Sequence, residues 1–168
     1  MAVTTTLTQL LQVLDRECGL HDQLRTILRA EQQVLVNADA AGLEAKVREQ
    51  EFLIEEIRRL EASRLGLMAH LSRQLGIPID DLTLERVIEL SEPEQASALQ
   101  LVRDRLRSVV HDVRRMNELN RHLVENGLRF VEENIAVLFG VGEEGLFYRQ
   151  PRKAKRPSEV RRLIDRKA

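Results

Sequence analysis

Tryptophan is absent, aromatic residues make up 3% of the 168 positions, and there is a single cysteine, Cys18. One thiol excludes an internal disulfide and any zinc site built from several thiolates, and it fits a reducing compartment. With so few rings the packing falls to Leu, Ile, Val and Ala. Together with 32% charged residues, that is the composition of long helices, so the expected fold class is all-α. No apolar run approaches about 18 residues. The start, Met1-Ala2-Val3-Thr4-Thr5-Thr6, has no basic segment ahead of an apolar one. Neither a membrane span nor a secretory signal is read, and the expected location is the cytoplasm.

Catalytic chemistry has little to stand on. The four histidines, His21, His70, His111 and His122, are too widely spaced for a helical i, i+4 ligand pair, and there is no Gly-rich phosphate loop, Gly-x-Ser-x-Gly or Cys-x-x-Cys. No catalytic residue, metal ligand or cofactor is expected, and Cys18 and His21 read as partly buried residues of a helix seam. The net charge of −1 hides an asymmetry. Residues 149–168 hold nine Lys/Arg against Glu159 and Asp165, a net of +7, which leaves the first 148 residues at −8. A basic arm on an acidic body is poorly suited to a polyanion, so a protein-docking or solvated tail is expected rather than a nucleic-acid arm.

What the chain has in plenty is helical periodicity. Between residues 91 and 139 apolar side chains recur at alternating three- and four-residue steps. In heptad terms the d column is Val102, Val109, Met116, Leu123, Phe130 and Val137. The a column begins Leu99, Leu106, Val113 and continues Asn120, Gly127, Asn134. Ser91-Glu92-Pro93-Glu94 reads as a capping box with Ser91 at the N-cap, and Gly140-Val141-Gly142 as the stop. A helix of that span is about 70 Å long at roughly 1.5 Å per residue and needs partner helices.

Upstream, Leu7, Leu10, Leu11, Leu14, Leu24, Ile27, Leu28 and Leu35 predict a first long helix over 4–36. Leu43, Val47, Leu53, Ile54, Ile57, Leu60, Leu67, Met68 and Leu71 predict a second over 40–75, capped by Asp39 and ended by Gly76 before Pro78. Residues 37–39 are either a tight hairpin turn or a kink. Thr83 caps a short helix carrying Leu84, Val87 and Ile88. The expected architecture is an elongated antiparallel helical bundle or hairpin of three long helices plus one short helix over residues 1–140, followed by a flexible basic tail over 141–168.

The broken a column admits two readings. Polar residues at a can fix register and partner number. Alternatively this half of the helix is not filled by the chain's own helices. In that case Asn120, Leu123, Val124, Gly127, Leu128, Phe130, Val131, Ile135 and Leu138 make a partner-binding strip, with Gly127 permitting close backbone approach. The apolar residues outnumber those of a single seam, which favours the second reading.

Several of these features come in a familiar order. Leu10-Leu11, Leu24, Leu28, Glu31, Leu35, Asp39 and Leu43 are followed by Leu53, Ile57, Leu60-Glu61, Arg64 and Leu75-Gly76. Then come Asn117-Glu118-Leu119-Asn120, Leu123-Val124, Gly127-Leu128 and Phe130-Val131, with Tyr148 soon after the last helix. Over residues 7–148 the chain resembles the FlgN-type flagellar export chaperone family. It lacks the glycine-containing segment often found after that tyrosine and adds a basic extension, so no family role passes to residues 149–168.

The resemblance implies a chaperone whose last helix takes the terminal amphipathic helix of hook–filament junction (hook-associated) proteins. Such a chaperone prevents their premature assembly and delivers them to the export gate at the inner membrane, with Tyr148 as the docking residue. A monomer or weak homodimer that forms a one-to-one complex with its client is expected. The alternative is a structural coiled-coil or adaptor protein, dimerising through residues 99–116.

Overall fold

A computed structural model describes residues 2–138, and among them all regular structure is helical. Four helices follow in order: α1 (Ala2–Val36), α2 (Ala40–Leu75), α3 (Leu84–Glu89) and α4 (Pro93–Leu138). The all-α expectation of three long helices and one short one holds. The expected stop of the last helix at Gly140 lies outside the described residues. Among the described residues no helix is long and apolar enough to cross a membrane.

The turn between α1 and α2 resolves the hairpin-or-kink alternative. Ala38 adopts the left-handed region at φ 54°. The Ala38 amide donates to the Leu35 carbonyl at 3.2 Å and the Asp39 amide to that of Val34 at 3.1 Å, the doubly bonded ending that closes many helices. The Asp39 carboxylate then accepts from the Gly42 amide at 2.9 Å and starts α2. At the far end Gly76, at φ 67°, terminates α2. Thr83 caps α3 by accepting from the Arg86 amide at 3.1 Å.

The start of α4 differs from the sequence expectation. Ser91 is not the N-cap: its hydroxyl donates back to the Val87 carbonyl of α3 at 2.7 Å. The first helical bond of α4 runs from the Ala96 amide to the Glu92 carbonyl at 2.8 Å, with Pro93 as the first helical residue. Because α3 ends only two residues earlier, its unpaired carbonyl claims the hydroxyl.

Contacts divide the chain into two compact units, Met1–Leu123 and Val124–Ala168. The first is built around α1 and holds two clusters. One joins Leu7, Leu10, Leu14 and Cys18 of α1 to Met68 and Leu71 of α2, to Leu82, Val87 and Ile88 of the connector, and to Leu99 and Val102 of α4. The other joins Leu24 and Leu28 of α1 to Leu53 and Ile57 of α2 and to Val113 and Met116 of α4. Rising numbers on α1 meet falling numbers on α2 and rising numbers on α4. Within this unit α1 therefore runs antiparallel to α2 and parallel to α4.

Polar bonds reinforce this arrangement. Arg105 pairs with Asp15 at 3.1 Å and with Asp22 at 3.2 Å, and Arg25 pairs with Asp112 at 3.1 Å. Such exposed or half-exposed pairs set orientation more than stability, at about 0–1 kcal/mol each. Glu17 is buried, and burial pushes its carboxyl pKa up, with the Arg64 guanidinium at 3.2 Å pulling it back. Cys18 is fully buried, its thiol bonded to the Val102 carbonyl and its pKa pushed up by burial to about 11. Burial also lowers the pKa of His21, whose ring nitrogen lies 2.8 Å from the Glu17 carbonyl. Cys18 lies in the first cluster, and His21 is half-buried.

Candidate partner-binding face

The three-and-four step that spaces 102, 106, 109, 113 and 116 continues in the sequence through 120, 123, 127, 130 and 134. What changes is how exposed these positions are. Leu99, Val102, Val109, Val113 and Met116 are all buried. From Leu123 onward the apolar residues are open: Leu123 is 38% exposed, Phe130 67% and Val137 81%, flanked by Val124, Leu128, Val131 and Ile135 at 39–59%. Seven large apolar side chains within fifteen residues form a contiguous exposed strip of the kind that marks an interaction surface.

Gly127 stands on this face with open space around it, since a methyl group added there meets nothing within 4 Å. A glycine inside a helix destabilises it by about 0.5–1 kcal/mol relative to alanine, and among the described residues no neighbour requires the missing side chain. Asn134 is exposed, and its amide donates to the Phe130 carbonyl one turn back at 2.7 Å.

Asn120 corrects the strip inferred from sequence. It is 4% exposed, and its side-chain amide donates to the Leu28 carbonyl of α1 at 3.0 Å and to the Glu31 carboxylate at 2.6 Å. It is therefore packed against α1 in the seam instead of lining the open strip. Leu123, Val124, Gly127, Leu128, Phe130, Val131 and Ile135 are brought together on the open face. The side chain of Leu138, and Tyr148, lie outside the described residues. Val137 was missed, although its place in the d column marked it. The seam over 99–116, the surface suggested for a dimer, is covered by the chain's own α1, α2 and connector.

A separate cleft of about 310 Å³ is lined by Leu7, Thr8, Leu11, Glu94, Gln95, Ala98 and Leu99. The Thr8 hydroxyl in it donates to the Thr4 carbonyl of its own helix at 3.0 Å.

A family model described as FlgN protein matches residues 1–156 of the chain. No curated protein and no solved structure matches it.

Proposed function

The chain belongs to the FlgN family, and so to a family of flagellar export chaperones, and from that premise we propose that the open face of α4 is its client site. The client is the terminal amphipathic helix of a hook–filament junction protein. It docks on Leu123, Val124, Gly127, Leu128, Phe130, Val131, Ile135 and Leu138, which keeps the client from assembling before export. The observation that carries this reading is the exposure of the strip. Seven large apolar side chains from Leu123 to Val137 are presented to solvent, as the docking of an amphipathic partner helix would require. The chaperone acts in the cytoplasm as a monomer or weak dimer and binds one client. It visits the inner-membrane export gate through Tyr148, an aromatic that buries large area while keeping a hydroxyl for hydrogen bonding. The positive charge beyond it speeds encounter with an acidic partner.

The test mixes purified junction proteins with the full chain and with a chain ending at Gly145. Light scattering is expected to show one-to-one complexes for both, while only the full chain brings its client to membranes carrying the export gate. A concentration-independent homodimer that survives client addition would favour the structural adaptor instead. Equal loss of client binding and recruitment on truncation would place the tail in the client site.

A further inference from the structure

Two asparagines stand in the a column of α4 two heptads apart, and the structure shows what the first one does. Asn120 meets a helix, α1, that runs parallel to α4, and it does so at a defined chemical pattern. Leu24 and Leu28 pack into the seam, the Leu28 carbonyl accepts one bond, and the Glu31 carboxylate, 91% buried, accepts another. Asn134 repeats the heptad position of Asn120 in the sequence. The residues around the two positions also correspond. Met116 precedes Asn120 by four residues as Phe130 precedes Asn134, and Leu123 follows Asn120 by three as Val137 follows Asn134. The difference is the occupant. Where Asn120 has α1, Asn134 has solvent and a bond to its own helix at Phe130.

We infer that Asn134 is the specificity-determining residue of the open face, and that it selects a partner helix of α1-like chemistry: parallel to α4, with two apolar residues four apart and an acidic residue three further on. This rests on the reading of that face as the client site and adds which helix it accepts. The apolar strip supplies affinity for any amphipathic helix, whereas the asparagine supplies a donor that a carboxylate satisfies and an apolar side chain does not. When a partner covers it, an Asn134 amide facing an apolar residue keeps only its bond to the Phe130 carbonyl, and its remaining N–H is buried without an acceptor, which is costly. Facing a carboxylate it makes a charge-assisted bond. Swinging the amide away from the Phe130 carbonyl gives up one exposed local bond whose carbonyl already serves the helix. Gly127, between the two asparagines, leaves room for the partner backbone to approach.

The probe is a labelled peptide of this chain's own residues 20–36, which carries Leu24, Leu28 and Glu31, titrated by fluorescence anisotropy against the full chain. It is expected to bind the wild type, to bind Asn134→Leu about ten- to hundredfold more weakly, and to recover on Asn134→Leu when its own glutamate is changed, Glu31→Leu. Asn134→Asp is expected to repel the unaltered peptide and to accept Glu31→Gln. Because Asn134 is exposed, unchanged melting temperatures will show that the variants are folded. Equal or tighter binding by Asn134→Leu would overturn the inference. So would failure of the peptide to bind the wild type, or binding that survives Phe130→Asp, which would mean exchange into the bundle. Junction-protein binding that is lost in Phe130→Asp but indifferent to Asn134→Leu would leave the client site standing and remove only the selectivity assigned to Asn134.

Discussion

Replacing Leu128 and Phe130 together with aspartate abolishes client binding and leaves the bundle folded. Both side chains are mostly exposed, 59% and 67%, so the substitutions remove little packing from the free chain. Surface changes of this kind usually stay within about 0.5 kcal/mol. At a partner interface the same two positions act differently. Large apolar anchors buried at the centre of a contact contribute about 2 kcal/mol or more each, and an aspartate in their place is a desolvated, unpaired charge. The affinity loss for a junction protein should exceed about a hundredfold by calorimetry, while thermal melts of the free chain barely move. If the double variant instead unfolds, the strip is a core and the client site lies elsewhere.

The counterpart substitution, Leu28→Ala, has the opposite signature. Leu28 is fully buried in the cluster with Leu24, Leu53, Ile57, Val113 and Met116, and its carbonyl receives the Asn120 amide. Emptying such a site costs about 2–5 kcal/mol, a large part of the roughly 5–15 kcal/mol that holds an ordinary domain together. Urea denaturation should show that loss. Phe130→Ala, by contrast, should lie close to wild type although it removes the larger side chain. Similar costs for the two would mean that exposure does not separate the core from the proposed client face.

How much of this was legible in the sequence depends on whether the cause is local. The four helices follow from apolar spacing, and Asp39, Gly76 and Thr83 act through bonds to residues no more than four or five positions away. The turn at Ala38 was left open because alanine carries no preference for the left-handed backbone it adopts there. The N-cap of α4 was misplaced because the Ser91 hydroxyl, which as a cap would accept from an amide of α4's first turn, donates instead to the Val87 carbonyl at the end of α3. The parallel pairing of α1 with α4 depends on contacts about ninety residues apart, which no window of sequence displays.

Asn120 and Asn134 illustrate the same limit at the site. Both are polar interruptions at equivalent heptad positions, and the pattern treats them alike. Only the fold shows that the first is covered by Leu28 and Glu31 and the second is exposed. The exposed strip itself was readable, because residues 123–138 hold more apolar side chains than one seam uses. The burial of Asn120 was not, since it depends on bonds to Leu28 and Glu31 about ninety residues away.

Hydrogen–deuterium exchange of the full chain, with and without a purified junction protein, addresses the central claim directly. If the open face of α4 is the client site, amides over residues 121–138 gain strong protection on complex formation, while those of α1, α2 and the buried part of α4 keep their free-state rates. Protection that appears only within the bundle, or a complex in which residues 124–138 exchange as fast as in the free chain, would contradict the account.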